Sequence, residues 1–503
     1  MDINCLSFLE KTAEKFPAKI AVSCKNKCLT FNQLTIYSKY LSRVIPSNKR
    51  NSPVAIFLPK SCDTLVAFTA VLYSGNFYAP IDVKTPISRL QHILKSLDPF
   101  LIITNTSLIS KFSDISDCSI LDIDEVDFTY INKCEVDNWT HVIDTDPVYC
   151  MHTSGSTGNP KGVLIPHKAV IDYIEWTVQN YQIDSSNKIA NQVPFHFDIS
   201  TLDIFLMFYT GATLHIVPES LFSFPVRLIE YLEKHEITFI FWVPSALSKV
   251  SNLKCLKSGN LPNLKFVLFC GEVMPTKCLN YWLNYLPNTI FSNLYGPTET
   301  TVASTFYTID RVFSDSEHLP IGFPCRNTEI LLLDQKNQLI KSGEIGEICI
   351  RGTGLALAYW RDKNKTEESF IQNPTHTNYP DLIYKTGDLA RLNDNRELVF
   401  IGRKDTQIKH LGHRIELGEI ETALNSLIEI MSCCVLYEHS QIICILESKV
   451  KTLNDNSLKN KLLELLPKYM VPSRFHQIDE MPLNQNGKID RVQLKSLVND
   501  GKY

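Results

Sequence analysis

The sequence predicts an α/β protein with a large N-terminal domain of parallel or mixed sheets flanked by helices, followed by a small C-terminal α+β domain. Three observations lead there. Short apolar runs alternate with amphipathic helical stretches through most of the chain, and the texture changes near Glu397. A length of 503 residues also exceeds the size at which one hydrophobic core keeps growing, so at least two cores are expected.

Taken in order, Leu34 through Val44 has helical spacing and Val54-Ala55-Ile56-Phe57-Leu58 is an apolar run of strand length. Thr64 through Tyr73 is helical again, and Leu101-Ile102-Ile103-Thr104 is a strand. Val148-Tyr149-Cys150-Met151 reads as a buried strand entering a glycine-rich loop, with Val163-Leu164-Ile165 as a second strand leaving it. Val226 to Lys234 is helical, Phe239 to Val243 is a strand, and Phe266-Val267-Leu268-Phe269 is a strand ending at Cys270-Gly271-Glu272. Such alternation predicts parallel sheets covered by helices, with loops gathered at the carboxyl ends of strands, where open α/β sheets hold ligands.

After the strand Leu398-Val399-Phe400-Ile401, the run Gly402-Arg403-Lys404-Asp405 is a polar break. A new unit follows: a helix over Leu417, Ile420, Leu424 and Leu427, strands near Cys433 to Leu436 and Ile442 to Leu446, and a helix around Leu458 to Leu466. The expected division is residues 1–403 and 404–503, the second unit being roughly 100 residues, an ordinary domain size. No internal repeat or long low-complexity tract interrupts the chain.

Composition narrows the function classes. With 44% hydrophobic and 21% charged residues and a formal charge of −4, nothing favours a nucleic-acid partner, and no Lys/Arg stripe argues otherwise. The N-terminus lacks a basic segment followed by a long apolar one, and runs such as Phe239-Ile240-Phe241-Trp242-Val243 soon meet a proline. Neither export nor membrane insertion is expected, and the cytoplasm is the default. The fifteen cysteines are scattered without a CxxC zinc pattern and read as reduced, mostly buried small hydrophobes.

The stretch Thr153-Ser154-Gly155-Ser156-Thr157-Gly158-Asn159-Pro160-Lys161-Gly162 is suited to phosphates. Glycines let backbone N–H groups converge on an anion, and Lys161 adds a compact positive charge. It is not a Walker A motif, because the glycines are too close together and Gly162 follows Lys161. Without its flanking strands, such a run would be a flexible surface turn.

Asn293-Leu294-Tyr295-Gly296-Pro297-Thr298-Glu299 places an aromatic face, a tight turn and a carboxylate on one segment, suited to a planar base and to the Mg²⁺ that accompanies a triphosphate. Alone, Tyr-Gly-Pro-Thr is an ordinary turn. In Lys385-Thr386-Gly387-Asp388 the carboxylate can accept both hydroxyls of a ribose, and Arg403 can add a charge-assisted bond. Either side chain also fits a plain surface charge.

In this order, and with Leu29-Thr30-Phe31, Gly75-Asn76-Phe77-Tyr78-Ala79-Pro80-Ile81-Asp82, Phe197-Asp198-Ile199-Ser200, Gly343-Glu344-Ile345-Gly346-Glu347, Gly412-His413-Arg414-Ile415-Glu416 and Asn486-Gly487-Lys488-Ile489-Asp490-Arg491, the chain resembles the adenylate-forming superfamily, specifically its amino-acid adenylation domains. The resemblance runs from about Leu29 to Arg491 and implies a two-step reaction. A carboxylate attacks the α-phosphorus of ATP to give an acyl-adenylate and pyrophosphate, and a phosphopantetheine thiol then displaces AMP. It implies ATP and Mg²⁺ as cofactors, with Lys488, Lys161 and Glu299 as catalytic residues and Glu299 on the metal. The nucleotide would meet Thr153, Ser154, Gly155, Ser156, Thr157, Gly158, Lys161, Asn293, Tyr295, Gly296, Thr298, Asp388, Phe400 and Arg403. The small domain is expected to be mobile, turning about a hinge at Asp405 so that the Lys488 loop leaves and Gly412-His413-Arg414 enters.

By the same resemblance, Asp198 pairs with the substrate ammonium; the plain alternative is a cap on the helix through Ser200 to Phe208. The implied pocket is Asp198, Ile199, Leu202, Trp242, Leu268, Cys270, Leu294, Val302 and Ala303, with Lys488 on the substrate carboxylate. Its lining is apolar between two charged anchors, which suits a small or medium uncharged amino acid. Phe269-Cys270-Gly271-Glu272-Val273-Met274-Pro275 resembles D-alanine:D-alanyl-carrier-protein ligases and favours D-alanine, while Trp242 departs from that subfamily and leaves glycine, alanine, serine or a ring such as proline open. The sequence holds no pantetheine attachment site of its own, so a separate carrier protein is the expected acceptor. Two other readings stay open: an acyl- or aryl-CoA ligase in which Asp198 is only a cap and His196 gates the pocket, and a non-catalytic sensor of nucleotide or amino acid.

Overall fold

The structure, a computed structural model, describes residues 3–25, 27–46, 48–113, 115, 118–128, 138–154, 160–341, 343–450, 453–482 and 489–500. Among these, the strands form two large sheets, a five-stranded antiparallel sheet, a two-stranded hairpin and a three-stranded sheet.

The nine-stranded sheet has a parallel centre, in which Ile290–Tyr295, Phe266–Phe269, Phe239–Trp242, Lys188–Asn191, Thr213–Ile216 and Ile20–Cys24 lie side by side. Phe239–Trp242 and Phe266–Phe269 are buried at every position, as strands covered on both faces must be. Antiparallel strands close the sheet at both ends. The seven-stranded sheet runs parallel through Phe77–Pro80, Pro53–Ile56, Leu101–Thr104 and Ser119–Asp122.

The prediction of parallel or mixed sheets therefore holds, with parallel centres and an antiparallel pair at the glycine loop. Pro147–Thr153 and Lys161–Pro166 pair antiparallel, since the stretch of sequence between them is too short for the crossover that a parallel pair needs. The expected helices are present as Phe31–Ser42, Cys62–Tyr73 and Pro225–Lys234, the first closed by a capping box between Thr30 and Gln33.

Beyond the five-stranded sheet, Gln407–His410 and His413–Glu416 form the hairpin and lead into the helix Leu417–Asn425. Ile430–Glu438, Gln441–Ser448 and Arg474–Ile478 form the last sheet. Ile420, Leu424, Val435, Cys444 and Leu462 share an apolar cluster there, separate from those of the large sheets. Among the described residues, no helix is long and apolar enough to cross a membrane.

Candidate active site

The antiparallel pairing sets Thr153 opposite Lys161, so the lysine returns to the foot of the glycine loop. Its Nζ lies 3.4 Å from Glu299 Oε1, 3.2 Å from the Tyr359 hydroxyl and 4.5 Å from the centre of that ring. Burial lowers the Lys161 ammonium to about 8, against the pull of Glu299.

Glu299 is fully buried. Its Oε1 accepts a 2.7 Å bond from the Tyr359 hydroxyl, and its Oε2 receives Nη1 of Arg414 at 2.6 Å. Burial by itself would raise this carboxyl; Arg414 and Lys161 outweigh it and hold the group well below the usual carboxylate range. The partners of this carboxylate thus include two cations and a hydroxyl donor. Among the described residues, no three His, Cys, Asp or Glu side chains gather as metal ligands. In this arrangement the Arg414 guanidinium and the Tyr359 hydroxyl occupy the Glu299 oxygens, so the carboxylate would be open to the Mg²⁺ that accompanies ATP only with Arg414 withdrawn.

Arg414 arrives on the hairpin of the small unit, which is fastened at several points. Ser154 Oγ donates to the Arg414 carbonyl at 2.7 Å. The Gly412 N–H donates to Glu272 Oε1 at 2.8 Å, and the other oxygen of Glu272 accepts the Ser245 N–H at 2.9 Å. The His413 ring stacks on Tyr469 at 3.4 Å and meets Phe197 edge-on at 4.7 Å. Arg89, on the helix Ile87–Leu97, pairs with the buried Glu419.

A second group of side chains surrounds Asp388. The Tyr295 hydroxyl donates to Asp388 Oδ2 at 2.6 Å, and Arg403 Nη1 lies 2.5 Å from Oδ1. Arg403 also grips Asp405 through two parallel bonds, Nε to Oδ1 at 2.6 Å and Nη2 to Oδ2 at 2.7 Å. Asp388 and Arg403 are direct partners across their strands, so sheet register sets this contact. Phe400 lies tilted at 6.5 Å from the Tyr295 ring. Asn293 points elsewhere, its amide donating to the Pro320 carbonyl at 2.8 Å. At Gly296 a Cβ would stand 2.7 Å from both the Ala303 Cα and the Val302 carbonyl, so the turn needs glycine for close backbone approach.

Between these groups lies a cavity of about 100 Å³ whose lining includes Asp198, Ile199, Cys270, Thr298 and Val302. Asp198 immediately precedes the helix Ile199–Thr210, yet its side chain makes no capping bond; Thr201 Oγ1 instead donates to the Asp198 carbonyl at 2.6 Å. Burial raises the Asp198 carboxyl, opposed by a hydrogen bond from Thr298. Val302 carries a left-handed backbone with φ of 69°, a conformation a β-branched residue adopts only under constraint, and its carbonyl faces Cys270 Sγ at 3.8 Å.

Leu202, Leu268, Leu294 and Ala303 are buried in the same apolar cluster as Ile199, Cys270 and Val302, without lining the cavity as described. Trp242 is a correction. Alternation along its strand turns Phe239 and Phe241 toward that cluster and Ile240 and Trp242 to the other face, where the indole donates to the Ala190 carbonyl at 2.8 Å. The expectation was one residue out of register, and one residue in a strand is the opposite face. Gly155, Ser156, Thr157, Gly158 and Lys488 lie outside the described residues. Tyr359, Arg89 and Glu272 were not foreseen at the site, since no motif marks them.

Residues 9–360 match the family described as AMP-binding enzyme. The chain belongs to this family. Curated relatives of this AMP-binding enzyme include zwittermicin A synthase ZmaJ of Bacillus cereus, 34% identical over 512 residues, covering 99% of this chain and 96% of the relative. D-alanine–D-alanyl carrier protein ligase of Bacillus cytotoxicus is 30% identical over 512 residues, covering 99% of this chain and all of that protein (100%). Gramicidin S synthase 1 of Brevibacillus brevis is 32% identical over 493 residues, which are 96% of this chain and 44% of that longer protein. Among solved structures, the Vibrio cholerae adenylation domain AlmE in complex with glycyl-adenosine-5′-phosphate superposes with a TM-score of 0.85 at 21% identity, over 99% of this chain and 98% of that one, which establishes a shared fold. The AMP-binding enzyme is accordingly an adenylate-forming, AMP-forming ligase that uses ATP.

Proposed function

We propose that this ligase activates a small uncharged amino acid, D-alanine favoured, as the aminoacyl-adenylate and then passes it to the phosphopantetheine thiol of a separate carrier protein. The observation that carries the reading is the Asp198 side chain, which lines the cavity and does not cap its helix. A half-buried carboxylate raised by burial, which Thr298 and the Lys409 charge only partly offset, is a receptor for an ammonium group. Ile199, Cys270 and Val302 leave room beside it for a short side chain.

In the first step the substrate carboxylate attacks the α-phosphorus and the bond to pyrophosphate breaks. Catalysis there is mainly positioning and electrostatic stabilisation. Asp198 fixes the amine, Lys161 and the loop at Ser154 neutralise phosphate oxygens, and Asp388 accepts the ribose hydroxyls with lone pairs left beside Tyr295 and Arg403. Lys488 is assigned to the substrate carboxylate and Asp405 to the hinge, with the domain boundary at 403/404. The presence of Gly412-His413-Arg414 at the cleft supports the second step as the state described, in which the thiol displaces AMP. D-alanyl carrier protein ligase among the full-length relatives supports both the substrate class and the acceptor.

The CoA-ligase reading makes Asp198 a helix cap, which its geometry does not favour. A hydroxamate-trapping panel of the L-amino acids, several D-amino acids, and simple fatty and aryl acids tests the proposal. Turnover of small amino acids supports it, turnover of fatty or aryl acids alone favours the CoA ligase, and nucleotide binding without any turnover favours the sensor.

A further inference from the structure

Lys60 lies between the strand Pro53–Ile56 of the seven-stranded sheet and the helix Cys62–Tyr73, whose N-cap is Ser61. Its half-buried side chain reaches across to the nine-stranded sheet, where the strand Lys188–Asn191 ends. There Nζ donates to three consecutive carbonyls, those of Asn191 at 3.3 Å, Gln192 at 3.0 Å and Val193 at 3.3 Å. An ammonium has three N–H donors and no acceptor, so these carbonyls match its full capacity. The same Nζ sits 5.8 Å from the centre of the Phe195 ring, which in turn meets the Phe68 ring at 5.9 Å.

The segment held in this way leads into the substrate site. Beyond Val193 the chain is a run of tight turns: the Phe197 N–H donates to the Pro194 carbonyl at 3.1 Å, and the Ser200 N–H to the Phe197 carbonyl at 3.0 Å. Its far end is tied back to its start, since the Asn191 amide donates to Asp203 Oδ2 at 2.8 Å and both residues are fully buried. His196 and Asp198 line the cavity described above, and His196 also lines a second cavity, of about 370 Å³, whose wall includes Lys60.

We propose that Lys60 is a positioning residue for the amino-acid site: by clamping residues 191–193 across the junction of the two large sheets, it fixes the loop that presents His196 and Asp198. The inference rests on the reading of Asp198 as the receptor for the substrate ammonium. It gives Lys60 no part in holding the nucleotide, whose expected partners Lys161, Asp388 and Arg403 belong to other strands. Loss of the clamp loosens the amino-acid end of the site and spares the ATP end. Misplacing such an anchor by about 1 Å can cost up to about 100-fold.

The test compares the full-length protein with Lys60→Met, Lys60→Gln and Lys60→Arg. Methionine keeps an unbranched stem without donors, glutamine keeps two donors without the charge, and arginine keeps the charge with five donors. The first readout is amide hydrogen exchange without ligands. Peptides covering residues 191–203 are expected to exchange faster in Lys60→Met and Lys60→Gln and near the parent rate in Lys60→Arg, while the strands Ile290–Tyr295 and Leu398–Arg403 stay protected. The second is ATP–pyrophosphate exchange with the amino acid that the parent uses best. KM for the amino acid should rise roughly tenfold or more in Lys60→Met and Lys60→Gln, KM for ATP should stay within about twofold, and Lys60→Arg should recover most of the parent value.

The proposal is overturned if both KM values rise together, if neither rises, or if exchange over residues 191–203 is the same in all four proteins. Loss of protection that spreads to the two reference strands also overturns it, because the lysine then holds the fold and not the site. A parent that activates no amino acid contradicts the reading of Asp198 instead, and the hydrogen exchange still decides whether Lys60 holds the loop.

Discussion

The Arg414 guanidinium closes on the buried Glu299 carboxylate at 2.6 Å, joining the small C-terminal unit to the floor of the cleft across 115 residues of sequence. Breaking a buried pair leaves an uncompensated charge, which typically costs about 3–5 kcal/mol. Glu299→Ala strands both Arg414 and Lys161, and is expected to lower stability by that order in urea unfolding. Arg414→Gln removes the cation but keeps hydrogen-bonding capacity, so its expected effect falls on hairpin docking. Thioester formation from supplied aminoacyl-adenylate should drop at least tenfold while adenylate formation changes little, as read by single-turnover assays of each half-reaction.

Lys161 gives a pH dependence with a definite sign. Its pKa lies at about 8, so the ammonium is present below that pH and lost as pH rises through it. The kcat/KM for ATP in the free enzyme should therefore fall on the alkaline side with a midpoint near pH 8. Lys161→Arg keeps its charge throughout and should abolish that limb, whatever it does to the plateau.

Trp242 should matter for stability and not for substrate choice. Its indole packs in the second cluster with Phe222 and bonds Ala190, so Trp242→Ala is expected to cost about 3–5 kcal/mol. The ranking of amino acids in pyrophosphate exchange should stay as in the unaltered protein. Phe241→Ala, on the opposite face of the same strand, should broaden that ranking toward larger side chains.

Gly296→Ala tests the tight turn. The new methyl would meet the backbone at Ala303 and Val302, which cannot yield as a flexible side chain can. Because Val302 lines the cavity, KM for the amino acid should rise more than KM for ATP.

Much of the site was legible because its residues sit in short motifs that local chemistry can read. Lys161 and Glu299, and Tyr295, Asp388 and Arg403, each picked out from its own segment, come together in the structure as two neighbouring groups. Strand parity was not legible at Phe239–Trp242, since an unbroken apolar run buried on both faces carries no alternation to say which side chain faces the ligand. The antiparallel pairing at the glycine loop was left open for a related reason: two apolar strands around a loop look alike whether they pair parallel or antiparallel. Contacts such as Arg414 with Glu299 and Arg89 with Glu419 join residues far apart in the chain, and sequence spacing holds no record of them.

The central claim is that Asp198 receives the ammonium of the substrate. Its carboxyl is raised by burial, so binding of the amino acid should weaken on the acid side with a midpoint above the ordinary aspartate value of 3.8. The most direct measurement is ATP–pyrophosphate exchange with D-alanine and with propionate, which differs only in lacking the amine, in the unaltered protein and in Asp198→Asn. The account predicts exchange with D-alanine or another small amino acid, none with propionate, and a loss of about 100-fold, roughly 2.7 kcal/mol, in Asp198→Asn. Equal exchange with propionate, or an Asp198→Asn variant as active as the parent, would contradict it.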